Sequence, residues 1–132
     1  MKINGKEINF KFTVRAQLQT AALCADKKLA NLSKLFAGDE PDETRAKAIF
    51  EVGRIMNNCY EQAKRKERGE PVDLEADYSL ITFDDFLDLE PTEEAQFERE
   101  VIEAINGGHA RSVEAEAPKG KKNEKAQEPK SN

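Results

Sequence analysis

The first twelve residues of the chain alternate between apolar and polar side chains. Ile8, Phe10 and Phe12 are separated by single polar residues, a spacing that gives a β-strand one apolar face. An Asn-Gly pair at positions 4–5 precedes this strand and suits the two positive-φ positions of a type I′ turn. The pattern therefore predicts an N-terminal β-hairpin over residues 1–12 that packs its apolar face on helices.

Beyond residue 12, apolar positions recur every three or four residues, which is the period of an amphipathic α-helix. Thr13 and Thr82 are suited to cap helices at their N-termini, as is either Asp39 or Asp42 ahead of the longest one. We predict five helices, over residues 14–25, 29–37, 43–68, 83–89 and 93–106.

The helix predicted over residues 43–68 has the widest apolar stripe, so we expect it to form the centre of the core. A glycine inside a helix costs about 1 kcal/mol relative to alanine, and Gly53 therefore indicates the close approach of a neighbour. The expected buried face of this helix is Ala46, Ile49, Phe50, Gly53, Met56, Cys59, Tyr60 and Ala63. The expected buried face of the first helix is Val14, Leu18, Ala21, Ala22 and Ala25.

These elements predict a mostly helical α+β fold, in which the hairpin packs on a small helical bundle. We expect one folded domain over residues 1–108, its last helix ended by Gly107 and Gly108. Residues 109–132 are rich in Lys, Glu, Ala and Pro and contain little apolar surface. Burial of so little surface cannot offset an ordering entropy of about 1–2 kcal/mol per residue. We therefore predict that residues 109–132 form a disordered, charged tail.

Charged residues are sorted along the chain. Residues 1–69 carry 14 Lys and Arg against 9 Asp and Glu, whereas residues 70–105 carry 13 acids and one base, Arg99. The formal net charge of the whole chain is −5. We call residues 70–105 the acidic block. Such a division presents different electrostatic faces to different partners, unless the basic half of the same chain neutralises the acidic block.

The acidic block also contains apolar side chains that a partner could bury. Apolar anchors with a charged rim are typical of contacts in which a helix lies in a groove. The same apolar residues would equally serve the core of the domain, and the acids a solvated helical face. The candidate partner-binding residues are Phe83, Phe86, Leu87, Asp84, Asp85 and Asp88.

We predict no enzymatic activity, no cofactor and no metal site. His109, the single histidine, adjoins the predicted tail, where nothing would hold a partner for proton transfer. The chain has neither a zinc-type spacing of His and Cys nor a glycine-rich phosphate loop. Residues 81–86 resemble the exit half of an EF-hand, but either register leaves required positions without suitable residues.

The composition also bears on membrane association, on the state of the cysteines and on nucleic acid binding. No apolar run approaches the 18–20 residues that span a bilayer, and no signal-peptide core follows Met1, so we expect no membrane partner. Cys24 and Cys59 are then expected to be reduced and buried. The net negative charge argues against nucleic acid as the main partner.

The order of these elements resembles that of the tail assembly chaperones of long-tailed, siphovirus-like bacteriophages and prophages, which are encoded between the tail tube and tape measure genes. The opening residues 1–12 run directly into a helix, and a long central helix follows. Residues 79–87, with the sequence SLITFDDFL, an acidic last helix and a tail rich in Lys, Glu, Ala and Pro complete the likeness.

The resemblance implies a non-enzymatic chaperone in the host bacterial cytoplasm. Members of this family keep the long tape measure protein soluble and help to recruit tail tube subunits around it. The resemblance thus implies the tape measure protein and the tail tube protein as partners, allows self-association of several copies, and implies absence from the mature virion.

The acidic block also fits a function outside the tail pathway. A small regulatory or anti-host adaptor would use its acidic surface to mask a basic surface on another protein. Charge reversal within the block would then abolish binding, whereas a chaperone that relies on apolar anchors would depend more on Phe83 and Phe86.

Overall fold

The computed structural model describes residues 1–37 and 42–116, and side chains as far as residue 107. It confirms the predicted fold class, a mostly helical α+β arrangement that begins with a β-hairpin. The two strands are β1 (Lys2–Ile3) and β2 (Lys6–Glu7), and the helices are α1 (Val14–Ala21), α2 (Leu32–Leu35), α3 (Glu43–Glu67), α4 (Phe83–Leu87) and α5 (Pro91–Glu116).

The hairpin has the predicted turn, but its second strand ends at Glu7 and does not reach residue 12. The Asn-Gly pair at positions 4–5 has φ angles of 52° and 77°, as a type I′ turn requires. Directly after β2, the Ile8 N–H still donates to the Met1 carbonyl at 2.7 Å, and farther along the Lys11 N–H donates to the Met56 carbonyl of α3 at 3.1 Å. Ile8 and Phe12 are buried, as the alternation predicted.

The chain between α1 and α3 is less regular than the sequence predicted. α1 ends at Ala21 rather than at residue 25, and Asp26 and Lys27 then adopt left-handed φ angles of 57° and 54°. Left-handed residues interrupt a right-handed α-helix. The predicted helix over residues 29–37 consists instead of a 3-10 turn at Leu29–Asn31 and the single turn of α2.

α1 buries a different face from the one predicted. Val14 and Leu18 are 71% and 69% exposed, whereas Ala16 and Thr20 are fully buried. The small side chains at positions 16 and 20 let α1 approach α3 closely, and the larger apolar ones are left outside. The prediction that Val14 and Leu18 belong to the core is therefore wrong.

α3 forms the centre of the core, as predicted. Its buried apolar residues are Ile49, Phe50, Val52, Ile55, Met56 and Cys59, and Gly53 is buried among them. A Cβ atom on Gly53 would lie 2.4 Å from Cζ of Phe97, which is itself fully buried. Phe97 is thus the neighbour whose close approach requires a glycine.

A cluster of phenylalanine rings joins the elements around Phe97. Its ring meets the rings of Phe10 and Phe86 edge-on, at centroid distances of 5.3 and 5.1 Å. Phe50 lies 5.8 Å from Phe86 and 5.3 Å from Phe83. Edge-to-face and offset ring pairs contribute about 0.5–1.5 kcal/mol beyond the burial of their area. The cluster connects the segment after the hairpin with α3, α4 and α5.

Two buried asparagines of α3 hold the extended segments on either side of it. Asn57 donates from Nδ2 to the Asn9 carbonyl at 2.8 Å and accepts from the Leu80 N–H at 2.7 Å. Asn58 accepts from the Tyr78 N–H at 2.6 Å. Each amide side chain replaces the partner that a neighbouring strand would have supplied.

The last helix extends beyond its predicted end. α5 continues through Gly107 and Gly108 to Glu116, so the prediction that these glycines end it is wrong. Each glycine costs a helix about 1 kcal/mol, and the alanine, arginine and glutamate residues that follow favour helix. The chain divides into two units, Met1–Ile102 and Glu103–Asn132.

These findings also bear on the predicted domain boundary and tail. The first compact unit ends at Ile102, and a folded domain over residues 1–108 stays a prediction. Of the predicted tail, residues 109–116 lie within α5, whereas residues 117–132 lie outside the part of the chain that the structure describes.

Candidate functional site

An apolar groove lies between the first turn of α3, α4 and the start of α5. It encloses about 740 Å³. Thr82 begins α4 with a capping box, in which its hydroxyl accepts from the Asp85 N–H while the Asp85 carboxylate accepts from the Thr82 N–H. Pro91 begins α5 only a few residues later, so the two helices present adjoining surfaces. The apolar residues that line this groove are Ala46, Phe83, Phe86, Leu87, Leu89 and Pro91.

The structure brings together the three apolar residues that the sequence suggested for partner binding. Phe83, Phe86 and Leu87 all line the groove, because residues three and four apart share one face of a helix. Their exposure differs, however. Phe86 is 4% exposed and belongs to the core, Phe83 is half-buried, and Leu87 is 56% exposed. A partner in the groove would therefore contact Leu87 and the open side of Phe83.

The three aspartates named with them have different positions. Asp84 and Asp88 are exposed and do not line the groove. Asp85 has a structural role: besides closing the capping box, it accepts from Asn4 Nδ2 at 2.6 Å and so fastens the hairpin turn to α4.

The charged lining of the groove is predominantly acidic. Asp42, Glu43 and Glu94 line it together with one base, Arg45. Arg45 donates from Nη2 to both carboxylate oxygens of Glu98, at 3.0 and 2.9 Å, and from Nε to the Phe36 carbonyl. The charge of Arg45 is thus compensated within the fold, as is that of Glu43, which pairs with Lys47 at 2.9 Å. Asp42 and Glu94 give the groove its net negative charge.

The pKa of the Glu94 carboxyl depends on its burial and on its charged neighbours. Burial raises the pKa of the Glu94 carboxyl, and the nearby Glu98 raises it further, while Arg45 opposes both. A raised carboxyl pKa means that the site disfavours another negative charge. Burial disfavours a charge of either sign, whereas the neighbouring carboxylate of Glu98 favours a cation over an anion in the groove.

Four of the thirteen acids in the acidic block pair with cations from residues 1–69. Arg54 bonds to both Glu51 and Asp77, with an Arg54 Nη1 to Asp77 Oδ2 distance of 2.9 Å. Partial burial alone would raise the pKa of Asp77, but hydrogen bonds from Ser79 and the Arg54 guanidinium together lower it. Arg65 and Arg68 both contact Glu70.

The hairpin end contributes to the same pairing. The Met1 ammonium lies 3.0 Å from Glu7 and 3.3 Å from Glu100. Burial would lower the pKa of this ammonium, yet the two carboxylates raise it overall. The acidic block was expected either to face a basic partner or to be neutralised by the basic half of the same chain. These pairs agree with the second interpretation.

The sequence patterns did not identify the groove as a whole. Its lining combines Arg45 and Ala46 of α3 with Pro91 and Glu94 of α5. Of these, Ala46 was expected to face the core. No local pattern unites residues that lie about forty positions apart; only the packing of α3 against α4 and α5 does so.

Metal-ligating and thiol side chains are the other candidates for a site among the described residues. No group of three or more His, Cys, Asp or Glu side chains there could hold a metal ion. Cys24 and Cys59 are buried and unpaired, as predicted, and burial raises the pKa of the Cys24 thiol. The side chain of His109 lies outside the described part. No described helix has the length and apolar character needed to cross a membrane.

Comparisons with protein-family models, curated proteins and solved structures gave no match to this chain.

Proposed function

We propose that this chain is a non-enzymatic tail assembly chaperone whose groove binds an apolar helical segment of the tape measure protein. The observation that supports the proposal is the groove itself, lined by Phe83, Leu87 and Leu89 and open to solvent at Leu87. A groove of this kind accommodates the apolar face of an amphipathic helix, which presents side chains three and four residues apart.

The charge of the groove adds a requirement on the partner. Asp42 and Glu94 favour a helix whose apolar face is flanked by Lys or Arg. Charge pairs at the rim contribute more to the rate and selectivity of association than to affinity. Weak, repeated contacts of this type suit a chaperone, because the bound protein must later be released as the tail tube polymerises.

The remainder of the proposal rests on the resemblance of the sequence. The chaperone would act in the host bacterial cytoplasm, cover the tape measure protein with several copies, help to recruit the tail tube protein, and be absent from the mature virion. The exposed acids Asp84 and Asp88 would keep the complex soluble.

The experiment is coexpression with the tape measure protein, followed by measurement of its soluble fraction and of binding between the purified proteins. Leu87→Ser removes the most exposed apolar side chain of the groove and should weaken binding by about tenfold, the loss typical of an interface hot spot. Leu74→Ser is the matched control, since Leu74 is similarly exposed, 50% against 56%, but lies outside the groove. Equal solubility of the tape measure protein with and without this chain would refute the proposal.

A charge-reversed variant separates the chaperone from the acidic adaptor. Asp84→Lys combined with Asp88→Lys reverses exposed charge without touching the capping box, which Asp85 maintains. The chaperone should tolerate this change better than Leu87→Ser, because its affinity depends on apolar contacts. Abolished binding in the charge-reversed variant, with normal binding by Leu87→Ser, would favour the adaptor.

A further inference from the structure

A second surface, formed by α1 and the C-terminal half of α3, combines exposed apolar side chains with a cavity. Val14 and Leu18 lie one helical turn apart on α1 and are the most exposed large apolar residues of the described chain. Beside Val14, a cavity of about 260 Å³ opens between the start of α1 and α3, with Cys59 and Ala63 in its wall. We call this the α1–α3 surface.

The charge of the α1–α3 surface is opposite to that of the groove. Arg15 and Lys66 line the cavity, and no acidic residue does. Among the described residues neither cation takes part in an ion pair, unlike Arg45 and Arg54. Both positive charges are therefore available to a ligand.

A buried donor in the cavity wall also lacks an acceptor. Gln62 is 4% exposed and lines the cavity, and its Nε2 has no hydrogen-bond partner among the described residues. Such a donor costs about 1–3 kcal/mol when unpaired. The terminal torsion of glutamine is broad, so a modest rotation would let the amide donate to an oxygen atom that enters the cavity.

We propose that the α1–α3 surface docks an acidic amphipathic helix of a partner protein. One apolar side chain of that helix fills the cavity beside Val14, and a second covers Leu18. Carboxylates that flank them pair with Arg15 and Lys66, and one carboxylate oxygen accepts from Gln62.

This surface is separate from the groove and does not depend on the proposed function. Ala46 of the groove and Cys59 of the cavity are thirteen positions apart on α3, which corresponds to about 20 Å at 1.5 Å per residue. The two surfaces also select partners of opposite charge. One chain could therefore hold a basic helix and an acidic helix at the same time.

The test uses the full-length chain and two synthetic helical peptides. The first contains two leucines four residues apart in a background of alanine and glutamate, and the second has lysine in place of every glutamate. We expect the glutamate peptide to bind to the wild-type chain by isothermal titration calorimetry. Val14→Ser and Lys66→Glu should each weaken this binding by about tenfold.

Matched controls separate this surface from general effects. Lys34→Glu makes the same charge change at an exposed site outside the cavity, and Leu74→Ser removes an exposed apolar side chain outside it; both should bind like the wild type. Circular dichroism shows that each variant is folded. Equal binding of the lysine peptide, or equal loss in the controls, would overturn the proposal. So would a dimer in sedimentation analysis that Lys66→Glu dissociates, since a second copy would then occupy the surface.

Discussion

At the scale of the residue, the packing around Gly53 explains why a helix-weakening residue stands in the centre of α3. The ring of Phe97 occupies the space that a side chain at position 53 would need, 2.4 Å from the expected Cβ position. The ring cannot easily move aside, because Phe10 and Phe86 meet it edge-on at 5.3 and 5.1 Å. Gly53 thus lowers the helix propensity of α3 but allows Phe97 to pack closely against it.

Gly53→Ala should lower the free energy of unfolding. Overpacking a core costs about 1–3 kcal/mol, which exceeds the gain of about 1 kcal/mol in helix propensity. Urea unfolding measures the difference. Gly107→Ala is the control: the same substitution in α5 meets no atom within 4 Å and should leave stability unchanged or slightly higher. A stabilised Gly53→Ala protein would contradict this account of the packing.

At the scale of the element, α3 organises segments that have little regular structure of their own. The chain after β2 and the chain before α4 are both extended, and both bond to the buried amides of Asn57 and Asn58. These bonds position Thr82, and thereby α4 and the groove. Asparagine has a lower helix propensity than alanine. Its presence at two successive buried positions of α3 is therefore explained by the hydrogen bonds that it makes to these segments.

Asn57→Ala should destabilise the protein by about 1–3 kcal/mol, because it leaves the Asn9 carbonyl and the Leu80 N–H without their partner. Hydrogen exchange should then be faster at Leu80 than in the wild type. Asn31→Ala, which removes one exposed hydrogen bond to the Ala25 carbonyl, should cost clearly less. If both variants unfold at the same urea concentration, Asn57 does not hold these segments.

At the scale of the first unit as a whole, the two oppositely charged halves of the chain pair with each other. Arg45 reaches Glu98, Arg54 reaches Asp77, and the Met1 ammonium reaches Glu100. This pairing compensates four of the thirteen acids of the acidic block. Outside these pairs, acidic side chains line the groove and two cations line the α1–α3 surface, about 20 Å away along α3.

The pairing of Asp77 predicts a dependence of stability on pH. The pKa of Asp77 is lowered below its ordinary value of 3.8, so its ionised form stabilises the fold above that pH and this contribution is lost as the pH falls through the lowered pKa. Asp77→Asn should therefore be less stable than the wild type at pH 7, by under about 1 kcal/mol for a partly exposed pair. The difference should vanish in acid.

Urea unfolding at successive pH values measures this effect. Asp26→Asn is a suitable control, because Asp26 is exposed, lies outside the ion pairs of the described chain and has a left-handed backbone that asparagine also tolerates. A difference between wild type and Asp77→Asn that persists unchanged into acid would show that the charge of Asp77 is not its source.

The sequence by itself determined the features that depend on neighbouring residues. The Asn-Gly turn, the Thr82 capping box and the long apolar stripe of α3 all arise from contacts within a few positions, where spacing and chemistry are sufficient. The absence of a catalytic set of residues and the suggested role of Phe83, Phe86 and Leu87 remain predictions of the same kind.

Only the tertiary structure decided which of several apolar faces would be buried. Val14 and Leu18 have the right spacing for a core face, yet Ala16 and Thr20 take that place because small side chains allow α1 to approach α3. The groove likewise joins residues of three elements. Which surface is buried depends on how all the elements pack together around one interior. A local sequence pattern therefore cannot predict it.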